Sequence, residues 1–429
     1  MPYKKAILTI ITISAIPILI WLLMTPLSER FFDLNATTTS LGQITGLLGM
    51  ILFSLNLILA SRLKFLDNLF DGLNNVYLFH RVLGALSFSL LLFHPLFLVV
   101  KYLQISLRSA ALFLLPSTDF AITSGIISLA GMIILISLTF YISLKYQNWK
   151  LSHKIMVLVF VFALMHTLLI YSDISRNLFL RIYILGFGMA GLALSAYQAF
   201  FHKYLSKNIY EVKDITRLNL QVLAITLMPK NQTQKFVPGQ FVFVSFHGKN
   251  ISSESHPFSV SASYPDGSFR LAIKALGDFT AILDKLQVGD RAIIQGPFGK
   301  FSYLNAKGKN QIWIAGGVGI TPFTSMAQDL KNPDYHIDLY YCTKNQAEDV
   351  LIDELKKIAE TNPSFRLFSW HSDEKGFITA ENINSLSQEL LNKEIFLCGP
   401  APFMNGLIKQ FKNLNIKNKN IHSEQFKFL

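Results

Sequence analysis

Two stretches of the sequence decide the fold: FHRVLGALSFSLLLFH at residues 79–94 and HKIMVLVFVFALMH at residues 153–166. Each belongs to an apolar run that is long enough to cross a hydrocarbon core of about 30 Å as a helix. Each also contains two histidines, and an ionisable side chain inside a membrane is costly enough to indicate a function. The two stretches therefore predict a membrane domain with a site built on four histidines.

Further apolar runs surround these stretches in the first half of the chain, and none recurs beyond residue 207. The N-terminal run is similar to a signal peptide, but no small-x-small cleavage site follows it, so we expect a retained first helix. We predict six transmembrane helices, at Ala6 to Met24, Leu41 to Ala60, Phe79 to Lys101, Ile122 to Leu144, His153 to Tyr171 and Phe179 to Phe201.

Basic residues are shared unequally between the two sides of the predicted membrane domain. With the N-terminus inside, nine Lys and Arg residues lie in the inner segments and five in the outer loops. This bias predicts cytosolic termini and cytosolic soluble domains, in a plasma or inner membrane. The net charge of +12 is not gathered into an aromatic-interleaved patch, which argues against nucleic acid as a partner and favours anionic lipid.

The four histidines form two pairs that match in depth. Helices three and five both run outward from the cytosol, so His80 and His153 fall near the inner surface, and His94 and His166 lie nearer the outer one. Separations of 14 and 13 residues, at about 1.5 Å per residue, put the two levels about 20 Å apart. Two stacked b-type haems fit that interval, because each needs only two axial ligands from the protein.

Other interpretations of these residues stay open at this point. A single histidine could be a core residue bonded to a carbonyl, whereas zinc would need a tetrahedral set that widely separated pairs do not provide. The 14 residues from His80 to His94 return nearly to the same face of a helix, but the 13 from His153 to His166 stop about 100° earlier. We therefore expect a 3₁₀ turn or a bend near His153. Arg81 could pair with a haem propionate or act as a membrane anchor.

The second half of the chain changes to short runs rich in Val, Ile, Phe and Thr. Runs such as Leu218 to Leu227, Phe241 to Phe246 and Phe269 to Ala275 predict a small antiparallel β-barrel. From Gln311 to Ala315 a strand opens an alternation of strands and helices. That alternation predicts a Rossmann-like α/β domain around a parallel sheet.

Three turns in this half suit nucleotide phosphates. Gly316-Gly317-Val318-Gly319-Ile320-Thr321-Pro322 follows a strand and opens a helix, where glycines let the backbone approach a pyrophosphate. Lys274-Ala275-Leu276-Gly277-Asp278-Phe279-Thr280 adds a cation before another helix, and Cys398-Gly399-Pro400 ends a later strand. A glycine-rich loop alone could be a structural turn, but the three together predict a module for two nucleotides.

The whole chain resembles the NADPH oxidase and ferric reductase superfamily, which joins a six-helix haem domain to a ferredoxin-NADP reductase-like module. The resemblance rests on the histidine pairs, on His256-Pro257-Phe258-Ser259 just before an expected strand, and on the turns at Gly316 to Pro322 and Cys398 to Pro400. It implies a haem domain in residues 1–204, an FAD-binding barrel in residues 205–307 and an NAD(P)H-binding domain in residues 308–429.

The resemblance also implies roles for single residues. Those along the flavin would be His256, Pro257, Phe258 and Ser259, and those holding FAD phosphate would be Lys274, Gly277, Phe279 and Thr280. Contacts to NAD(P)H would come from Gly316, Gly317, Val318, Gly319, Thr321, Pro322, Cys398, Gly399 and Pro400. An aromatic near the C-terminus, Phe426 or alternatively Phe428, would shield the flavin ring and move before nicotinamide could stack.

The strand after the Gly316 turn favours NADPH over NADH. It ends at Tyr340-Tyr341-Cys342-Thr343-Lys344 without the Asp or Glu that binds a free ribose 2′-hydroxyl. Thr343 and Lys344 offer a hydroxyl and a cation to a 2′-phosphate, although Lys344 could also be a solvated loop residue. Lysine lacks the bidentate fork of arginine, so we expect moderate discrimination.

These features predict electron transfer from NADPH through FAD and two haems to an acceptor across the membrane. The acceptor could be O₂, giving superoxide, or a ferric chelate or another one-electron acceptor, and a haem-containing redox subunit or sensor without turnover is the third interpretation. The sequence has no EF-hand loop, and neither Cys342 nor Cys398 has a CxxC companion. We therefore expect no calcium gating, no further electron carrier and no obligatory protein partner.

Overall fold

The computed structural model describes residues 3–142, 146–201, 208–249 and 251–424. Contacts within the chain divide it into a helical unit, residues 2–70 and 75–204, and a second unit of residues 205–429 together with a few residues from the first half.

The helical unit contains six helices that are long and apolar enough to cross a membrane, among the described residues. Their number confirms the prediction from the sequence. Their bounds are α1 Lys4–Met24, α2 Leu34–Leu59, α3 Leu73–Leu103, α4 Phe120–Tyr141, α5 Tyr146–Leu169 and α6 Leu178–Ala196, the last followed by a π-helical turn at Tyr197–Phe201. Shorter helices lie at Leu27–Arg30, Lys64–Leu69, Leu107–Phe113 and Asp173–Arg176.

Two helices begin earlier than predicted, at caps made by polar side chains. The backbone N–H of Ala36 donates to Asp33 Oδ1 at 2.7 Å, so α2 begins at Leu34 rather than at the predicted Leu41. Asp119 caps α4 in the same way, accepting from the N–H of Ala121 at 2.8 Å. A hydropathy pattern follows only the apolar part of a helix, whereas a cap marks where the backbone begins to coil.

Helix α2 is the most enclosed of the six, with 56% of its apolar window buried against 11–28% in the others. It has a stripe of small residues, Gly42, Gly46 and Gly49, on the side that faces α3. A Cβ at any of the three would lie 2.7–2.8 Å from a side chain of α3. The stripe therefore allows the close helix approach that membrane bundles need.

The second unit, which the sequence predicts to be soluble and which we call the soluble unit, begins with a closed six-stranded antiparallel barrel. The strand order is β1-β2-β5-β4-β3-β6, which confirms the predicted barrel. The strands are β1 Ile209–Arg217, β2 Val222–Pro229, β3 Phe241–His247, β4 Ser255–Ser263, β5 Phe269–Lys274 and β6 Arg291–Phe298. A short helix, Asp278–Ala281, and a 3₁₀ turn, Ile282–Lys285, lie between β5 and β6. Alternate apolar side chains fill the interior, among them Val212, Ile225, Val244 and Leu271.

A five-stranded parallel sheet of order β11-β10-β7-β8-β9 follows the barrel. Its strands are β7 Asn310–Gly316, β8 His336–Thr343, β9 Phe365–His371, β10 Glu394–Cys398 and β11 Ile421–Glu424. The longer helices around it are α7 Thr321–Asp329, α8 Ile352–Thr361, α9 Ala380–Ser387 and α10 Ala401–Asn413. Every residue of β10 is buried, as in a strand covered on both faces.

Shorter helical segments connect these elements. The 3₁₀ turns are Tyr303–Asn305, Gly317–Ile320, Gln346–Glu348, Leu390–Asn392 and Asn418–Asn420, and Ser372–Lys375 forms one α-helical turn.

Barrel and sheet are joined by an apolar core and by one ion pair. Phe301, just after β6, packs edge-on against Phe323 of α7 at 5.5 Å and against Phe396 of β10 at 5.4 Å. Arg270 of β5 donates two hydrogen bonds to the Glu354 carboxylate on α8, at 2.6 and 2.8 Å. The barrel and the sheet domain are therefore in direct contact, besides being consecutive in the chain.

Candidate functional site

The four membrane histidines lie on α3 and α5 and meet in two pairs. The ring centroids of His80 and His153, here called the inner pair, are 6.0 Å apart and their planes are inclined by 72°. Those of His94 and His166, the outer pair, are 6.2 Å apart and inclined by 71°. The names follow the predicted orientation. The structure thus brings together the residues that the sequence pairs by depth.

Backbone carbonyls hold both rings of the outer pair. Nδ1 of His94 lies 2.7 Å from the carbonyl oxygen of Gly42 on α2, and Nδ1 of His166 lies 2.7 Å from that of Ala121 on α4. A carbonyl can only accept, so Nδ1 is the protonated nitrogen and Nε2 keeps its lone pair. A bond of this kind fixes the tautomer and the orientation of a metal-bound histidine.

The inner pair is held differently. Nδ1 of His80 lies 3.1 Å from the carbonyl oxygen of Asn56 on α2, a longer contact than either bond in the outer pair. His153 stacks on Trp149, one helical turn earlier, with centroids 5.4 Å apart and planes only 13° from parallel. The two levels therefore have the same ring separation but different supports.

Two glycines make room for the outer rings. A Cβ placed on Gly46 of α2 would lie 2.8 Å from Nδ1 of His94, and one on Gly125 of α4 would lie 2.8 Å from Nδ1 of His166. Neither glycine has a φ in the left-handed region, so space rather than backbone freedom explains them. They belong to the site, although the sequence reasoning did not include them.

The ring separation in each pair fits a metal bound between two imidazoles. Metal–imidazole bonds of about 2 Å, with each ring centre about 1 Å beyond its nitrogen, put the two centroids about 6 Å apart. Within residues 3–142, 146–201, 208–249 and 251–424, no group of three or more His, Cys, Asp or Glu could hold a metal ion. Each pair offers two ligands, which suits a haem, since its macrocycle provides the other four.

The expected break near His153 is wrong. Helix α5 is continuous from Tyr146 to Leu169, so His153 lies two turns inside it and not at its start. The predicted helix begins at His153 because Lys150 and the polar residues before it interrupt the apolar pattern. His153 therefore meets His80 from an α-helix that no 3₁₀ turn interrupts.

In the soluble unit, the two predicted FAD motifs are in contact. His256-Pro257-Phe258-Ser259 lies inside β4 rather than before a strand, paired with β3 from Phe241 to Val244. The His256 ring stacks on Phe279 with centroids 3.9 Å apart and planes 20° from parallel. Proline is rarely found in the interior of a strand. This is why the sequence predicted the motif to precede a strand.

The Gly277 turn is more self-contained than the sequence suggests. The Thr280 hydroxyl accepts from the backbone N–H of Leu276 at 2.9 Å and of Gly277 at 3.1 Å, and it donates to the carbonyl of Gly277. These two amides are therefore already engaged. Lys274, which the sequence predicts as the cation for a phosphate, is the last residue of β5.

The two nucleotide turns of the sheet pack together through bare backbone. A Cβ on Gly319 would lie 2.3 Å from the carbonyl oxygen of Cys398, and one on Gly399 would lie 3.1 Å from Gly316 Cα. In contrast, Gly317 has φ +54° and open space where its Cβ would be. Gly319 thus closes the turn, whereas Gly317 faces the space in which a ligand could lie.

Three buried polar residues, Ser259, Cys398 and Glu424, lie on strands of the barrel and the sheet. Ser259 pairs with Phe241 across β3 and β4, and Gly299 lies beside both Phe241 and the Glu424 carboxylate. Glu424 is also the register partner of Cys398 in β10 and β11. Burial, followed by the nearby Glu424, raises the pKa of the Cys398 thiol well above its ordinary value, so the thiol stays neutral.

Three family models match successive parts of this chain. Residues 45–164 match the ferric reductase like transmembrane component, residues 208–303 the oxidoreductase FAD-binding domain and residues 313–409 the oxidoreductase NAD-binding domain. The chain belongs to the NADPH oxidase and ferric reductase superfamily. These matches also identify an integral membrane protein with FAD and nicotinamide nucleotide domains, the architecture of an NAD(P)H-dependent transmembrane oxidoreductase.

Relatives of this superfamily member share part of its length. A glycine betaine monooxygenase reductase subunit from Chromohalobacter salexigens is 28% identical over 208 residues, covering 44% of this chain and 56% of that protein. NADH-cytochrome b5 reductase 1 from Aspergillus terreus is 30% identical over 174 residues, covering 36% and 58%. The chain thus spans a little over half the length of these relatives.

A solved structure resembles more of the chain. The flavohemoglobin from Malassezia yamatoensis, determined with FAD and haem, aligns with a TM-score of 0.50 at 16% identity. The alignment covers 81% of this chain and 97% of that one. At this identity it shows similarity of fold alone.

The residues predicted to select the coenzyme of this superfamily member lie at the end of β8. The Thr343 hydroxyl donates to Asp349 Oδ1 at 2.7 Å, so its proton is already committed within the protein. Lys344 is exposed, and its backbone carbonyl accepts from the N–H of Asp373 at 3.0 Å. Any contact from this strand end to a 2′-phosphate would therefore come from Lys344 alone.

One predicted residue cannot be located. Phe426, with its alternative Phe428, lies outside the described residues, so its predicted place over the flavin stays a prediction.

Reasoning from the sequence missed Gly46, Gly125 and the carbonyls that hold the outer rings. The spacing of Gly42, Gly46 and Gly49 is the signal that could have located the first of these.

Proposed function

We propose that this superfamily member moves electrons from cytosolic NADPH, through FAD and two haems, to O₂ on the opposite side of a membrane and forms superoxide. The observation that supports the proposal best is the pair of matched histidine sites, at 6.0 and 6.2 Å, in a chain that also contains FAD- and NAD-binding domains. The excess of Lys and Arg in the predicted inner segments supports the orientation.

When bound, FAD supplies the conversion of one hydride into two single electrons, and haem supplies carriers that take one electron at a time. The protein's part is to hold these groups. His80 with His153, and His94 with His166, would each hold one haem. Because a haem held in this way would supply one electron at a time, one-electron reduction of O₂ suits the site.

On the hydride side, the chain contributes a buried and largely uncharged surface. Ser259 is 5% exposed, and its hydroxyl has no hydrogen-bond partner among the described residues, so it can bond to a ligand. The Cys398 thiol is neutral and fully buried at the end of β10. We propose that these two side chains face the rings between which hydride passes.

The haem assignment predicts a simple stoichiometry. His80→Ala and His94→Ala will each remove about half of the haem, because each substitution takes one axial ligand from one haem and leaves the other pair intact. FAD content will stay unchanged, since the FAD motifs lie in the soluble unit. Haem and flavin per chain, measured by pyridine haemochrome and by released FAD, test this. Two haems per chain in both variants would contradict the ligand assignment.

The coenzyme assignment predicts a preference for NADPH that depends on Lys344. Lys344→Glu will raise the KM for NADPH by about tenfold, equivalent to about 1.4 kcal/mol, and leave kcat nearly unchanged, because the group lies far from the reacting carbon. The KM for NADH will change little. Steady-state kinetics with both coenzymes give the ratio of the two KM values.

Lys307→Glu is the matched control for that prediction. Lys307 is exposed and precedes β7, at the amino ends of the parallel strands, whereas Lys344 follows the carboxyl end of β8. The same change of charge therefore occurs away from the predicted coenzyme site. It will leave both KM values unchanged. Equal use of NADH and NADPH by the wild type, or equal effects of the two substitutions, would refute the role of Lys344.

The terminal acceptor is tested directly with the purified full-length protein loaded with FAD and haem. We expect NADPH-driven reduction of cytochrome c that superoxide dismutase abolishes. Reduction of a ferric chelate that persists without O₂ and exceeds the superoxide rate would instead make the protein a ferric reductase. A protein with both cofactors that does not consume NADPH would be a redox subunit or sensor, and the proposal would fail.

A further inference from the structure

A buried arginine in the helical unit holds an unusual set of partners. Arg30, in the short helix between α1 and α2, is 6% exposed. Its Nη1 donates to Asp173 Oδ2 at 3.1 Å and to Gln43 Oε1 at 3.2 Å, and its Nη2 donates to the carbonyl of Trp21 at 2.7 Å. The guanidinium also lies 3.6 Å from the centroid of the Trp21 ring.

These partners connect directly to the two halves of the outer histidine pair. Gln43 follows Gly42, whose carbonyl accepts the hydrogen bond from His94. Asp173 begins the short helix that follows α5, seven residues after His166. Arg30 thus links the helix that orients one ring of the outer pair to the short helix that follows the one bearing the other ring.

Several contacts make this link rigid. The Trp21 indole donates to Gln43 Oε1 at 3.0 Å, and the Ser40 hydroxyl donates to the carbonyl of Arg30 at 2.9 Å. The Asp173 side chain is only 14% exposed. Deleting one partner of a buried ion pair leaves an unpaired buried charge, so it costs much more stability than deleting one partner of a surface pair. Rotation or withdrawal of the N-terminal part of α2 would break the contacts that Ser40 and Gln43 make with Arg30 and Trp21.

We propose that Arg30 and Asp173 form a clamp that positions the outer histidine pair and so sets the geometry of the outer haem. The inference rests on the proposed function, because it presumes that a haem lies between His94 and His166. The clamp acts by holding the Gly42 carbonyl against His94 and the end of α5 in register with α2. Arg30 and Asp173 are positioning residues and need not touch the haem.

The clamp is tested in two backgrounds that isolate the haems. His80→Ala leaves the outer haem alone, and His94→Ala leaves the inner haem alone. In the first background, Arg30→Gln will remove at least half of the low-spin electron paramagnetic resonance signal of the remaining haem or shift its g-values. In the second background, Arg30→Gln will leave the signal unchanged. FAD content and a single size-exclusion peak establish that each protein is folded.

Further variants keep the test decisive if Arg30→Gln folds poorly. Asp173→Asn keeps the shape of the side chain but removes its charge, and it will affect the outer haem alone. Arg30→Lys, which retains the charge with fewer donors, will restore part of the outer signal. The double variant Arg30→Gln/Asp173→Asn will be no worse than Arg30→Gln, because both changes break the same link.

Arg176→Gln is the matched control, since Arg176 lies in the same short helix as Asp173 but is exposed and covers the Tyr171 ring. It will change neither haem signal. Equal effects of Arg30→Gln in the two backgrounds, or none on the outer haem, would overturn the clamp. If His80→Ala and His94→Ala did not each remove one haem, the proposed function itself would fail, so the two failures are distinct.

Discussion

Replacing Gly46 or Gly125 by alanine will remove the outer haem and leave the inner haem in place. Each new methyl group would lie 2.8 Å from Nδ1 of an outer histidine, whose ring is fixed by a 2.7 Å bond to a carbonyl. The ring has to move, which costs about 1–3 kcal/mol for overpacking and about 1 kcal/mol for the weakened bond. A loss of this size lowers haem affinity by roughly 30- to 1,000-fold.

The measurement is the number of haems per FAD, which will fall from two to one in either variant. Gly186→Ala is the matched control, because Gly186 lies on α6 with no atom within 4 Å of its would-be Cβ. It will keep both haems. Retention of two haems by Gly46→Ala and Gly125→Ala would mean that the rings are not held against these glycines when haem is bound.

Replacing Gly319 by alanine will abolish reduction of the flavin by NADPH, with a loss of at least about 100-fold in rate, equivalent to about 2.7 kcal/mol. The added Cβ would lie 2.3 Å from the carbonyl oxygen of Cys398 and 2.6 Å from its carbonyl carbon. These are backbone atoms of a strand that is buried throughout, so the turn must open. Opening separates the two nucleotide turns from each other.

Stopped-flow reduction of the bound flavin by NADPH measures this effect, with FAD and haem content as the test of folding. Gly406→Ala is the control, since Gly406 lies in α10 with open space around it and alanine favours a helix by about 1 kcal/mol. Gly317→Ala will have an intermediate effect, because its φ of +54° strains any other residue although space is available. A normal rate in Gly319→Ala would show that the turn tolerates separation from β10.

The membrane domain and its histidine pairing were predictable because each depends on a one-dimensional property of the chain. Hydropathy locates the helices, and a constant rise per residue turns the spacings of 14 and 13 into depths. The supports of the rings were not predictable in this way. His94 reaches a carbonyl 52 residues away and His166 one 45 residues away, so both bonds depend on how α2 and α4 pack.

The soluble site shows the same division. Glycines in the Gly316 turn indicated a nucleotide, but the sequence could not separate Gly319, which packs on Cys398, from Gly317, which faces open space. The Thr343 hydroxyl looked available for a 2′-phosphate until the chain brought Asp349 to 2.7 Å from it. Residue type indicates what a side chain could do, whereas tertiary contacts decide what it has left to offer.

The join between barrel and sheet has a consequence for how this protein can be divided. Val222 and Ala272 of the barrel belong to one apolar core with Trp313, Phe323 and Phe396 of the sheet domain, and Arg270 ties the same surfaces to Glu354. A fragment that stops near residue 307 would expose the barrel side of that core to water. The flavin and nicotinamide domains therefore form one folding unit. A chimaera that fuses them to another membrane domain must include both domains in full.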